Sequence, residues 1–446
     1  MRLPLEALPV RLSTLWDRLR TSYWFVPTLM LVAAALAAWL AIYADTRVDL
    51  RRMSGLAWAL VASSEGATAV MSTVAGSMVT IAGVMVFSIT LVALSLASNQ
   101  FGPRMLRNFI RDRVNQSALG AFLATFLYCL LVLSAIRHGP EGTEFVPRLA
   151  VGVGVLLAVA SVATLIAYIH HVAVTIQADT LIQVIHADLC ALMDALYPPA
   201  AGAATADGAV DTAIRHRFDA SPGRVAAPCD GYLQAVDHGA LASAAADADV
   251  VLRLDRAAGH HVLPGSVLMS VWPGTRLDGP LEARLQACVV FGHQRTATQD
   301  LEFALDQLVE IAARALSPGI NDPFTAITCI DRLSSALARL AARGRVEGWH
   351  RDEAGVPRVL AHPLRFDAAL DAAFNPIRQY ACSNAPVAIR LMEALAELAA
   401  VCPEPDDRAA LARHGDKLLR NATARFDDPA DLADLRERYR HLHHPD

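Results

Sequence analysis

The chain contains very little lysine and none of the common catalytic or cofactor-binding motifs. Lys417 is the only lysine among 446 residues. The sequence has no P-loop, no dinucleotide-binding G-x-G-x-x-G, no G-x-S-x-G nucleophile elbow and no H-E-x-x-H zinc motif. We therefore expect neither an enzyme nor a bound cofactor. The net charge is −5 and no block of like charge is present, so a nucleic-acid partner is not indicated either.

The cysteines and histidines lack the spacing of a metal or disulfide site. The seven cysteines are never spaced C-x-x-C, and an odd, scattered set does not form a disulfide framework. The adjacent pair His260 and His261 has no cysteine or carboxylate at ligand spacing, and the same holds for the histidines near the C-terminus. We expect no metal site, and free thiols that suit a reducing compartment.

Charged side chains are absent from four long stretches near the N-terminus. These stretches are 24–43, 66–103, 117–136 and 149–169. A hydrocarbon core about 30 Å thick is crossed by roughly 20 apolar residues in a helix. Only hydrogen bonds within the segment can satisfy the backbone there, so each stretch is expected to be helical. The sequence thus predicts a membrane α-helical domain with four transmembrane helices.

The second uncharged stretch, 66–103, is unusual in its length and in its pattern of hydroxyl groups. As a helix it would be about 57 Å long, so we expect one helix that extends beyond the bilayer. Small hydroxylated residues recur on one face, interrupted by Val84 and Leu91. They are Thr73, Ser77, Thr80, Ser88, Ser95 and Ser98. This stripe is typical of a helix-packing seam, and alternatively of a helix that lines a water-filled path in an oligomer.

Arginines are concentrated before the first stretch and between the second and third stretches. They are Arg2, Arg11, Arg18, Arg20, Arg104, Arg107, Arg111 and Arg113. The other two connections are less basic and carry acidic residues, so the positive-inside rule places both termini in the cytoplasm. Arg104, Arg107 and Arg111 also fit one side of an interfacial helix on anionic headgroups, although topology alone accounts for them.

After the membrane region, the sequence predicts an α+β cytoplasmic region. We divide the chain into a cytoplasmic N-terminal segment (1–22), a transmembrane domain (23–172), a helical extension and linker (173–222), a β module (223–275) and a mainly helical cytoplasmic domain (276–446). The β module resembles the compact fold of lipoyl and biotinyl carrier domains. Carriers present a lysine at a hairpin tip and this module has none, so a scaffold or small-ligand role is expected instead.

The strongest local signal in this region is a predicted helical hairpin. A helical apolar pattern over 299–315 is followed by a turn, and then by a helix with Asp322 as N-cap and Pro323 at its first position. The turn residues are Ser317, Pro318, Gly319, Asn321, Asp322 and Pro323. The alternative interpretation is an anion site at this helix N-terminus, with Arg295 or Arg314 as partner. Further along, a small hairpin is expected over 346–360. The chain is expected to be helical from Phe366 onward, and Pro376 suggests that one helix opens near Phe374.

Three runs of the sequence, 88–104, 107–112 and 314–326, resemble a bacterial family of predicted membrane proteins. The family is labelled only as a domain of unknown function (number 2254). The resemblance implies four spans and a cytoplasmic domain in the bacterial inner membrane, and it implies no activity.

From these features we expect a homo-oligomeric channel or permeation protein with a cytoplasmic assembly or gating domain. The alternative is a membrane-anchored sensor or scaffold that binds a ligand or protein through its cytoplasmic domain.

Overall fold

The chain folds into two compact units, Met1–Gln177 and Ala178–Asp446, which we describe separately. The computed structural model describes residues 24–47, 64–96, 113–137, 145–175, 177–197, 218, 222–344, 346 and 348–443. Arg104, Arg107, Arg111 and Ser98 lie outside the described residues. Ser95 belongs to a described helix, but the description of side chains in that helix ends at Ser88.

The first unit contains four helices that match the four predicted stretches. They are α1 (Phe25–Arg47), α2 (Ser64–Leu96), α3 (Arg113–Ala135) and α4 (Arg148–Thr175). Each is long and apolar enough to cross a membrane. The helix α2 is a single helix of 33 residues, which corresponds to about 50 Å and exceeds a bilayer core.

Helix α3 lies at the centre of this unit and packs against α1, α2 and α4. Its buried apolar side chains recur at helical spacing, as expected for an enclosed helix. They are Ala118, Leu119, Phe122, Tyr128, Cys129 and Val132. A side chain at Gly120 would meet Sδ of Met30 at 2.5 Å and Cα of Pro27 at 3.2 Å. Glycine is therefore required at this close approach of α3 to α1.

Hydrogen bonds also join α3 to α4. The hydroxyl groups of Thr125 and Ser161 are 3.0 Å apart and buried. The hydroxyl of Tyr128 donates to the carbonyl oxygen of Ala150 at 2.9 Å. Such bonds between helices satisfy polar groups that lipid cannot satisfy.

The carboxylate of Asp45, in the last turn of α1, caps the start of α4. It accepts hydrogen bonds from the backbone N–H groups of Leu149 and Ala150 at 3.0 and 2.9 Å. These N–H groups belong to the first turn of α4, where no intrahelical acceptor exists. Asp45 therefore performs the role of an N-cap from a different helix.

The second unit is an α+β assembly that is mainly helical. Its strands are β1 (Gly223–Ala226), β2 (Gly231–Val236), β3 (Val251–Leu254), β4 (His261–Val262), β5 (Val267–Trp272), β6 (Val289–Gly292), β7 (Trp349–Arg351) and β8 (Pro357–Leu360). Its helices are α5 (Ala178–Leu196), α6 (His238–Asp247), α7 (Gly279–Ala287), α8 (Leu301–Ala315), α9 (Pro323–Ala341), α10 (Phe366–Ala381), α11 (Ala385–Val401), α12 (Pro405–Thr423) and α13 (Pro429–His443).

The strands form two sheets. One has the order β1-β5-β3-β8-β7 and the other has the order β4-β2-β6. All described strand pairs are antiparallel except β3 and β8, which are parallel. The strands β6, β7 and β8 come from beyond residue 275 and complete both sheets. The likeness to carrier domains stays a prediction.

The helical part is built around the hairpin of α8 and α9, which packs against α5, α10 and α11. The helices α5 and α9 run parallel, because Asp194 near the end of α5 pairs with Arg339 and Arg343 at the end of α9. Helix α5 begins at Ala178, whereas α4 ends at Thr175. A further helix, α5, thus follows α4 after a short break.

The predicted helical structure from Phe366 onward is confirmed, but the prediction that a helix opens near Phe374 is wrong. Helix α10 begins at Phe366 and contains Pro376 in its interior. Proline favours the first turn of a helix because it lacks an N–H group, and this preference suggested a later start. The buried face of Phe366, Leu370, Phe374 and Ile377 outweighs the lost hydrogen bond.

Candidate functional site

The hydroxylated stripe of α2 faces away from the other helices of its own unit. Thr73, Ser77, Thr80 and Ser88 are all exposed. The side chains of α2 that pack against the other helices lie on the opposite face. They are Ala67, Met71, Ala75, Met78, Ala82 and Met85. The described part of the stripe is therefore not a packing seam with the described helices of the protomer.

The hydroxyl groups of the stripe donate hydrogen bonds within their own helix. Thr73 donates to the carbonyl of Ala69 at 2.7 Å, Ser77 to that of Thr73 at 2.8 Å, and Thr80 to that of Gly76 at 2.8 Å. Each proton is thus satisfied without water. The hydroxyl oxygens are the polar atoms that this face presents to its surroundings.

Two glycines lie on the same side of α2 as the hydroxyls. A β-carbon at Gly76 or Gly83 would have no heavy atom within 4 Å. We call Thr73, Gly76, Ser77, Thr80 and Gly83 the α2 outer face. Small residues at this spacing allow a second helix to approach closely in a membrane.

The turn between α8 and α9 has the predicted cap. The carboxylate of Asp322 accepts hydrogen bonds from the backbone N–H of Thr325 at 3.1 Å and from its hydroxyl at 2.6 Å. Pro323 is the first residue of α9. The local sequence therefore specifies where α9 begins.

The amides of this turn are used by the turn itself. The N–H groups of Ile320 and Asn321 donate to the carbonyl of Ser317 at 3.1 and 2.9 Å, and that of Asp322 donates to the carbonyl of Ala315 at 2.8 Å. Asn321 adopts a φ of 50°, in the left-handed region that asparagine tolerates better than most residues. The geometry thus accounts for the turn as a structural element.

Both arginines proposed as partners of an anion at the turn pair with carboxylates. Arg314 pairs with Glu310 at 3.5 Å. Arg295 precedes the first residue of α8 and reaches along it to Asp306, which lies nine residues or about 14 Å before the end of the helix. Arg295 forms two hydrogen bonds with Asp300, at 2.8 and 3.0 Å, and one with Asp306 at 3.0 Å. The anion-site interpretation of the turn stays a prediction.

The β region contains a pair of histidines that no sequence pattern predicts. The rings of His238 and His350 are stacked with centroids 4.0 Å apart and planes 9° apart. Burial and, to a smaller extent, the neighbouring His350 together lower the pKa of His238 to about 4. The two residues are far apart in the sequence, so no local pattern could reveal the pair. Among the described residues, no group of three or more His, Cys, Asp or Glu is placed to hold a metal.

A comparison with protein families identifies the relatives of this chain. The model of a family described as "Predicted membrane protein (DUF2254)" matches residues 20–397. The chain belongs to the DUF2254 family. The match includes all three runs that carry the resemblance, 88–104, 107–112 and 314–326, and it also covers α2 and the turn between α8 and α9.

Two mycobacterial proteins illustrate how far this DUF2254 chain resembles its relatives. The uncharacterized protein Mb1321c of Mycobacterium bovis is 33% identical over 431 residues, which cover 95% of this chain and 80% of the relative. The uncharacterized protein Rv1290c of Mycobacterium tuberculosis shows the same identity and coverage. No solved structure matches the chain.

Proposed function

We propose that this DUF2254 protein is a homo-oligomeric permeation protein of the bacterial inner membrane. In this proposal the α2 outer faces of several copies surround a common path for ions or small polar solutes. The observation that supports it is the outward direction of Thr73, Ser77 and Thr80 on a helix long enough to span the membrane. We propose permeation and not catalysis.

Physical chemistry favours a protein neighbour over lipid at this face. A face of glycine and small hydroxylated residues offers few atoms for dispersion contacts with acyl chains, whereas another helix can approach its backbone closely. The outward hydroxyl oxygens can in addition accept hydrogen bonds from water in a path between helices. The second unit would then lie in the cytoplasm, where it assembles or gates the oligomer.

Replacement of Gly76 by leucine tests the proposal. We expect Gly76→Leu to disrupt assembly in detergent and to abolish most of the flux through the full chain reconstituted in liposomes. Gly152 in α4 provides a matched control, because it is also exposed and also has nothing within 4 Å of a β-carbon. Gly152→Leu should leave both the assembly and the flux unchanged.

A second variant separates a lining role from a packing role. Thr80→Leu places a bulky apolar group on the α2 outer face without filling a glycine gap. Reduced flux with normal assembly supports a lined path. Normal assembly with no flux from the parent protein would contradict permeation and favour the alternative, a membrane-anchored sensor or scaffold that binds through its second unit.

A further inference from the structure

The turn between α8 and α9 exposes large apolar side chains. Phe324 is 79% exposed, more than any other large apolar side chain in the described residues, and Ile320 is 39% exposed. Pro318 beside them is also exposed. Phe324 contributes little to the core, which α9 reaches through residues such as Cys329 and Ile330 on another face. Exposed apolar patches of this kind mark contacts with a membrane or a protein.

The turn lies at the end of the second unit where the chain enters it. Helices α5 and α9 run parallel, so their N-termini share one end of the bundle. Cys329 of α9 is close to Asp322 and also to Asp179 in the first turn of α5. Burial raises the pKa of its thiol, and the charges of these two carboxylates raise the pKa further. The N-terminus of α5 and the turn are therefore neighbours.

Chain connectivity limits how far this end can be from the bilayer. The fourth candidate span ends at Val172 and α5 begins at Ala178. From Val172 to Thr175 the chain is helical, and from Thr175 to Ala178 it can at most be fully extended. Val172 and Ala178 are therefore at most about 15 Å apart. The headgroup layer on each side of a bilayer is roughly 5–8 Å thick. The start of α5 is thus held within a short distance of the lipid headgroups by covalent geometry alone.

We propose that the α8–α9 turn docks on the membrane in which the protein is anchored, with Phe324 and Ile320 inserted among the lipid headgroups. Aromatic and aliphatic side chains favour this boundary, where apolar faces sink partly into the bilayer. Of the nearby charges, Arg314 is paired with Glu310, and the Asp322 carboxylate keeps its charge but is held at the start of α9 by hydrogen bonds from Thr325. The inference requires only the membrane spans and is independent of oligomerisation and permeation.

Site-directed spin labelling of the full chain in nanodiscs tests this contact. Cys229 is the only exposed cysteine in the described residues, so Cys229→Ser provides a background for the labelled variant Phe324→Cys. Accessibility to oxygen, which concentrates in lipid, is compared with accessibility to a water-soluble nickel chelate. Ile320→Cys gives an independent measurement of the same turn.

Val356 provides the control position. It is 43% exposed and lies in the hairpin of β7 and β8. That hairpin is tied to the far end of α5, because Leu364, shortly after β8, donates its N–H to the hydroxyl of Tyr197 at 3.0 Å. A label at Val356→Cys should favour the nickel chelate.

We expect the spin labels at positions 324 and 320 to be more accessible to oxygen than to the nickel chelate, and the label at 356 to show the opposite order. If the labels at 324 and 320 favour nickel as strongly as the label at 356, the turn faces water and the proposal is wrong. Low accessibility to both reagents would also overturn it, since a protein surface would then cover the turn.

Discussion

At the scale of single residues, the stacked histidines show how burial links protonation to folding. The pKa of His238 is about 4 in the folded protein because of burial and then of His350, whereas an unfolded histidine titrates near 6.5. The unfolded state therefore binds more protons than the folded state between these two values. The contribution of the neutral His238 ring to the stability of the fold is fully present above about pH 6.5 and is lost as the pH falls toward 4.

We therefore expect the thermal unfolding midpoint of the full chain in detergent to fall between about pH 7 and pH 5, as a result of proton uptake by the unfolded state. Replacement of His238 by phenylalanine keeps an aromatic ring in the stack and removes the titrating group. His238→Phe should reduce this fall by the equivalent of about 1–2 kcal/mol, after allowance for the partial exposure of the ring. The exposed His293 supplies the control variant His293→Phe, which should behave like the parent protein. An undiminished fall in His238→Phe would show that other groups cause the pH dependence.

At the scale of helices and strands, sequence patterns predict an element correctly where the residues that determine it are close to it in the chain. Asp322 and Pro323 adjoin the helix that they start, and the predicted cap is present. The predicted hairpin over 346–360 is also confirmed, as β7 and β8. Asp45 caps α4 just as directly, but it lies 104 positions before Leu149. No local pattern could assign that role, and the sequence suggested only that Asp45 reduces the positive charge of a connection.

The Asp45 contact leads to a prediction about the four-helix unit. Asp45→Ala removes the acceptor of two N–H groups at the start of α4, so we expect a loss of about 1–2 kcal/mol in stability. Asp45→Asn keeps one carbonyl oxygen and should lose less. Thr46→Ala is the control, because the Thr46 hydroxyl donates to the carbonyl of Tyr43 in its own helix and, among the described residues, joins no second helix. Thermal unfolding midpoints of the purified protein in detergent give the order of stability of the variants. Equal midpoints for Asp45→Ala and Thr46→Ala would contradict the prediction.

At the scale of the whole molecule, hydropathy predicted the first unit better than any pattern predicted the second. Four uncharged stretches are sufficient to locate four helices, because lipid leaves the backbone no other economical conformation. The sheets of the second unit depend instead on contacts between distant short strands. Leu252 in β3, for example, pairs with Val359 in β8. Short strands carry little information about their partners, and this is why the contribution of β6, β7 and β8 to the sheets was not foreseen.

The distribution of arginine predicts the orientation of the whole chain. Four arginines precede the first span and four lie between the second and third spans, so both regions are expected on the cytoplasmic side. A reporter that is active only in the periplasm, fused after Asp446, should be silent, because an even number of spans returns the chain to the side on which it began. The same reporter fused after residue 57, in the connection that follows the first span, should be active and shows that the fusions reach the membrane. An active reporter after Asp446 would reverse the orientation or change the number of spans, and it would place the α8–α9 turn at the opposite leaflet.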